Sequence, residues 1–216
     1  MKKIALLTTA LTLTFFGQTA LSFGLPDMPA VPGVGATKSV EAGPLVAQLN
    51  EVLLNLSTSQ EHIFSAMGKP QAAAQAKRDS EEYGKGTTNG ELMANTTANQ
   101  QEIDKGLPEV TKLTDEGKKE MALALPPYGK ALLRSAGLGA TLAAAAQTIT
   151  TNPMSVVGGT LSAPELITIF TKAPALLGNI AGQGYKLATY AGKFGIKDSS
   201  VPTSSDGKEL GKGSGN

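Results

Sequence analysis

The chain has 216 residues, with 19 Lys and Arg against 18 Asp and Glu, one His, and neither Cys nor Trp. That length buries a core of ordinary size and suits one domain, while the absence of cysteine excludes disulfides, thiolate metal sites, cysteine nucleophiles and a lipidated N-terminal cysteine. Charged residues make up 17%, below the roughly 25% usual for soluble domains, so the chain is polar through Thr, Ser, Asn and Gln.

Met1-Lys2-Lys3 precedes an apolar run from Ile4 to Phe16 and a small-residue zone from Gly17 to Gly24. This order of charged, apolar and small residues predicts a secretory signal peptide over residues 1–22, cut after Ser22, and hence export to the periplasm or beyond. Leu25 to Gly43 carries Pro26, Pro29, Pro32 and several glycines, which resist helix and strand alike and predict an extended or disordered lead over residues 23–43.

Pro44 then opens the clearest periodic segment. Leu45, Leu49, Val52, Leu56, Ser59, Ile63 and Met67 recur at spacings of three and four up to Gly68, the pattern of one helix face. Pro70 restarts a second helix over residues 71–83, rich in Ala and charge, with little to bury. A loop over 84–90 leads to a third helix, 91–105, whose large apolar residues are only Leu92, Met93 and Ile103. Gly106-Leu107-Pro108-Glu109 reads as a stop and a new start, after which Val110, Leu113, Met121 and Leu125 mark a further amphipathic face.

The character changes at Pro126-Pro127, dividing a single helical domain (44–197) into a polar, acidic half (44–125) and an apolar, basic half (126–197). Residues 131–149 hold one charge, Arg134, among Ala, Leu and Gly; Met154 to Ala163 is an irregular crossing; and Pro164-Glu165 opens a last helix that Pro174 should kink or divide. Residues 198–216 are rich in Ser, Gly and Lys and predict a disordered tail. No internal repeat and no sustained two-residue alternation is present, so the expected fold is all-α, a helical bundle or helical hairpins.

Residues 23–124 carry 14 acids and 9 bases, residues 125–216 only 4 acids and 8 bases. Lys130, Arg134, Lys172, Lys186, Lys193 and Lys197 therefore form a candidate membrane-facing or partner-facing surface, because basic residues flanking apolar helices suit anionic headgroups. The competing reading is a buried helical hairpin wrapped by the acidic half. Leu45, Leu49, Val52, Leu56, Ile63, Gly178 and Gly182 form the candidate helix-packing face, with Gly178 and Gly182 at a spacing that permits close backbone approach.

Chemistry is sparse. His62 is the only histidine, beside core-facing Ile63 on a regular helix with no positioned oxyanion donor. No cofactor or metal is expected. Paired carboxylates such as Glu81-Glu82 lack the aromatic platforms of a sugar cleft, the segment Gly33 to Ser39 departs from a phosphate loop, and a near-neutral chain argues against nucleic acid as a partner. The expected function is that of an exported, non-enzymatic helical protein binding a protein or lipid partner, itself a possible homo-oligomer. The alternative is a membrane-active protein that exposes residues 131–149 and 164–194 to a bilayer.

Overall fold

The computed structural model describes residues 39–196. The predicted signal peptide, most of the predicted lead, Lys197 and the predicted tail lie outside the described residues. The fold is all-α, with six α-helices among the described residues: α1 (Ala42–Ala66), α2 (Pro70–Gly84), α3 (Gly90–Gly106), α4 (Asp115–Ser135), α5 (Leu138–Thr151) and α6 (Ala163–Lys193). They form a bundle in which α1 packs chiefly on α4 and α2, α6 lies against α5 and α4, and α3 touches both α1 and α6.

Helix α1 follows the three-and-four spacing of its apolar residues. Leu49, Val52, Leu56 and Ile63 are buried, while Leu45 is half-buried against the same core. The helix starts at Ala42, two residues before the expected Pro44, because Val40–Glu41 are engaged just upstream. They form a short parallel strand pair, β1 (Val40–Glu41) with β2 (Val156–Val157), registering Val40 opposite Val156. Two residues per strand are too few to show an alternation in sequence, and the pair ties the start of α1 to the crossing before α6.

Helix α2 buries more than its composition predicts: Ala73, Ala76, Asp79, Ser80 and Tyr83 all face inward. Helix α3 is capped by Asn89, whose side-chain oxygen accepts from the N–H groups of Glu91 and Leu92, and it buries Thr96, Asn99 and Gln100 beside Met93 and Ile103. Pro108 closes a 3-10 turn at Leu107–Glu109. Helix α4 begins only at Asp115, after Thr114 accepts from the Gly117 N–H at 3.0 Å, so Val110 and Leu113 lie in the connection and not on the helix.

Three features of the later helices are not set by local composition. Helix α4 runs through Pro126-Pro127, because Met121, Ala124, Leu125, Tyr128 and Ala131 keep their spacing into the core across the prolines. The prolines remove N–H donors from this part of the helix, and Ser59 on α1 donates to the Ala124 carbonyl at 2.8 Å. The stretch 131–149 is not one helix: Gly137, at φ 77°, turns the chain between α4 and α5 in a conformation that other residues rarely adopt. Pro174, in contrast, does not divide α6, since Ala173, Leu176 and Leu177 stay buried on the same face.

Candidate binding groove

The groove is built around the C-terminal half of α6. That helix starts where Glu165 accepts from both the N–H and the hydroxyl of Ser162, at 2.8 and 2.6 Å, which holds the Glu165 carboxyl below its ordinary range and secures the first turn. From there Leu166, Ile169, Phe170, Ala173, Leu176, Leu177, Ile180 and Leu187 fill the core at helical spacing. Gly184 sits on this buried face, and a Cβ placed there would lie 3.0 Å from the Tyr128 ring. The glycine therefore lets Tyr128 of α4 reach across α6 and donate its hydroxyl to the Ile180 carbonyl at 2.7 Å. Burial pushes the Tyr128 phenol well above its ordinary pKa, so it remains a neutral donor.

Opposite this part of α6 stand the end of α3 and the turn that Pro108 imposes. Between the two walls lies a groove of about 360 Å³, floored by Ile63, Ile103 and Leu187 and edged by Leu107, Tyr185 and Tyr190. Its lining is almost wholly apolar. Tyr190 donates to the Val110 carbonyl, pinning the connection before α4, and Lys193 lies 5.4 Å from the Tyr190 ring centroid. Lys186 and Asp104 bridge the lips at 2.5 Å; both are well exposed, so the pair orients the rim and adds little stability. Tyr185 is 62% exposed, an aromatic ring left in water at the mouth of an apolar hollow.

A second hollow, about 420 Å³, lies at the other end of α1 among Gly43, Asn50, Tyr83, Gly84 and Gly159. It is larger, but its walls include backbone, and Asn50 there is already committed to the Tyr83 carbonyl and the Thr88 hydroxyl. The groove at α6 is the better receptor for an apolar group, since few polar atoms must be desolvated to fill it.

The predicted basic surface is divided by the fold. Arg134 pairs with Glu51 of α1 and Lys186 with Asp104 of α3, so two of its members reach across to acids of the other half. Lys130 and Lys172 are exposed, Lys193 lies over the Tyr190 and Phe194 rings, and Lys197 is outside the described residues. In the predicted packing face the α1 members hold, but Gly178 and Gly182 do not: both are exposed, with open space where a Cβ would stand. The α6 face that meets the core passes through Leu177, Ile180 and Gly184, so the close approach belongs to Gly184. His62 Nδ1 lies 2.8 Å from Glu120 Oε2 of α4, a half-exposed pair flanking the core.

Sequence reasoning singled out neither Tyr185 nor Tyr190 as a site residue. The available signal was Tyr185 itself, a large ring set off the apolar stripe of α6. No family model, curated protein or solved structure matches this chain.

Proposed function

We propose that this chain is an exported, non-enzymatic helical protein that binds a protein partner, and that the groove between α6 and the end of α3 receives that partner. The observation carrying this reading is the apolar hollow with Tyr185 exposed at its mouth. Aromatic residues at the edge of a dry hollow are the usual anchors of protein recognition, offering much contact area at a small entropic cost. The groove is also poor in reactive groups. Tyr128 and Tyr190 donate to backbone carbonyls, and its carboxylate, Asp104, is held by Lys186.

A photo-crosslinking residue placed at position 185 in the exporting cell tests this. Protein adducts at 185, absent when the same residue replaces Lys77 on the outer face of α2, are the expected result. Adducts to lipid alone, or none, would overturn it.

One observation favours a membrane-active second reading. No charged residue occurs between Arg134 and Glu165, and the crossing after α5 exposes Met154 (90%) and Val157 (54%), an uncharged surface suited to a lipid interface. Against it, the apolar faces of α5 and α6 are spent in the core, and among the described residues no helix is long and apolar enough to cross a membrane. Salt-sensitive flotation with anionic liposomes, lost in Met154→Asp, would put this reading first; no flotation at any salt would remove it.

A further inference from the structure

The proline-rich lead carries a regular spacing of its own. Pro26, Pro29 and Pro32 stand three residues apart, and polyproline II has three residues per turn, so in that conformation the three rings share one edge. Grooves that take such an edge are lined by aromatic rings and need few polar contacts, because the segment loses little entropy on binding. The α6 groove has this chemistry: Tyr185 and Tyr190 on one wall, Leu107 and Pro108 on the other, and an apolar floor. Charge agrees as well. Asp27 is the sole charge between Lys3 and Lys38, and the α6 side of the groove offers Lys193, with Lys186 beside it paired to Asp104.

Resting on the binding reading above, we propose that the groove receives the Leu25–Pro32 segment of a second copy of this chain. Reach favours a second copy over the chain's own lead. The groove lies at the Ile63 end of α1, roughly 31 Å along the axis from Ala42 at 1.5 Å per residue. The residues from Pro32 to Ala42 span about 31 Å at the polyproline II rise. A chain's own Pro32 arrives only by running straight down α1, yet Val40–Glu41 are held beside Val156–Val157. A partner's lead has no such limit. Reciprocal exchange closes a two-fold dimer, and one-way exchange builds an open chain.

The test is sedimentation of the chain as isolated from the exporting cell, over a dilution series, for wild type, Tyr185→Ala and the triple variant Pro26→Ala, Pro29→Ala, Pro32→Ala. Wild type should associate with concentration, and each variant alone should associate at least about tenfold more weakly. Mixing the two variants should restore a heterodimer, since one supplies the intact lead and the other the intact groove. Thr189→Arg, at an exposed position on the same lip, blocks the groove independently should Tyr185→Ala fail to fold. A wild-type chain that stays monomeric throughout, a triple variant that associates like wild type, or a mixture that does not recover would each overturn the proposal. Crosslinks from position 185 to a different protein, with the chain monomeric, would sink self-recognition and leave the binding reading standing; no protein adducts would sink both.

Discussion

The two ends of the bundle are held by different physics. Where α1, α2 and α3 meet, the interior contains Ser57, Gln60, Asp79, Tyr83, Thr96, Asn99 and Gln100, all buried. Thr96 is the hub: its hydroxyl lies 2.9 Å from the Leu92 carbonyl and 3.0 Å from the Tyr83 hydroxyl, and its carbonyl accepts from Gln60 at 3.0 Å. Where α5 meets α6 the contact is dry, made by Leu138, Leu142, Ala145, Ile149, Phe170, Ala173 and Leu177. A dry interface of small and branched residues gains its stability from area and tolerates sliding. A polar seam gains less per residue but penalises every register in which its groups lose their partners. The weakly apolar helices α2 and α3 are thus positioned by hydrogen bonds, and the strongly apolar α5 and α6 by packing.

The largest expected effect lies on the dry side. Phe170→Ala should lower unfolding stability by about 3–5 kcal/mol, read as a shift in urea midpoint; a loss below about 1 kcal/mol would mean that α6 is not packed as described. Gly184→Val, which drives a branched side chain into Tyr128, should cost about 1–3 kcal/mol, whereas Gly178→Leu on the exposed side should leave stability unchanged or slightly raised. Equal losses at both glycines would return the packing face to its sequence-based position. On the polar side, Thr96→Val keeps the volume but removes the oxygen facing Tyr83, and should cost about 1–3 kcal/mol. That loss should shrink when Tyr83→Phe is present, a coupling a dry interface would not show.

The smallest effect concerns Asp79. Burial raises the pKa of its carboxyl, opposed by hydrogen bonds from Gln75 and Asn95 and by the Arg78 charge. A carboxyl whose folded pKa lies above its unfolded value holds its proton more tightly when folded. Its ionisation therefore costs stability as pH rises through that window, and the cost persists at neutral pH. Asp79→Asn should raise the melting temperature at pH 7, with the gain fading as pH falls toward the ordinary carboxyl range. A gain that instead grew on acidification would show that the charged form is the one the seam stabilises.

Much of the helical framework was legible in sequence. The three-and-four spacing from Leu45 to Met67 marked α1 and its buried face, Pro70 and Gly84 bracketed α2, and Pro164-Glu165 announced the start of α6. Each is a local signal, governed by side-chain period and by which residues can begin or end a helix. The change of composition at Pro126-Pro127 is not a helix end, because proline's local penalty is outweighed by buried contacts that α4 makes with α1. The extra break at Gly137 was hidden because alanine-rich sequence on both sides reads as uninterrupted helix. The groove was the least legible feature, since Ile63, Ile103, Leu107, Tyr128 and Tyr190 come from four helices and a turn, and no window of sequence contains them together.

By itself, then, the amino-acid sequence determined the class of structure, the main helices, the α1 face and the uneven charge of the two halves, since each depends on residues within a few turns of one another. Tertiary structure decided which face of α6 is inward, where α4 ends, that Arg134 and Lys186 meet acids of the other half, and that an apolar hollow opens beside Tyr185. Those depend on contacts between residues far apart in the chain, where packing and desolvation across helices override local preference.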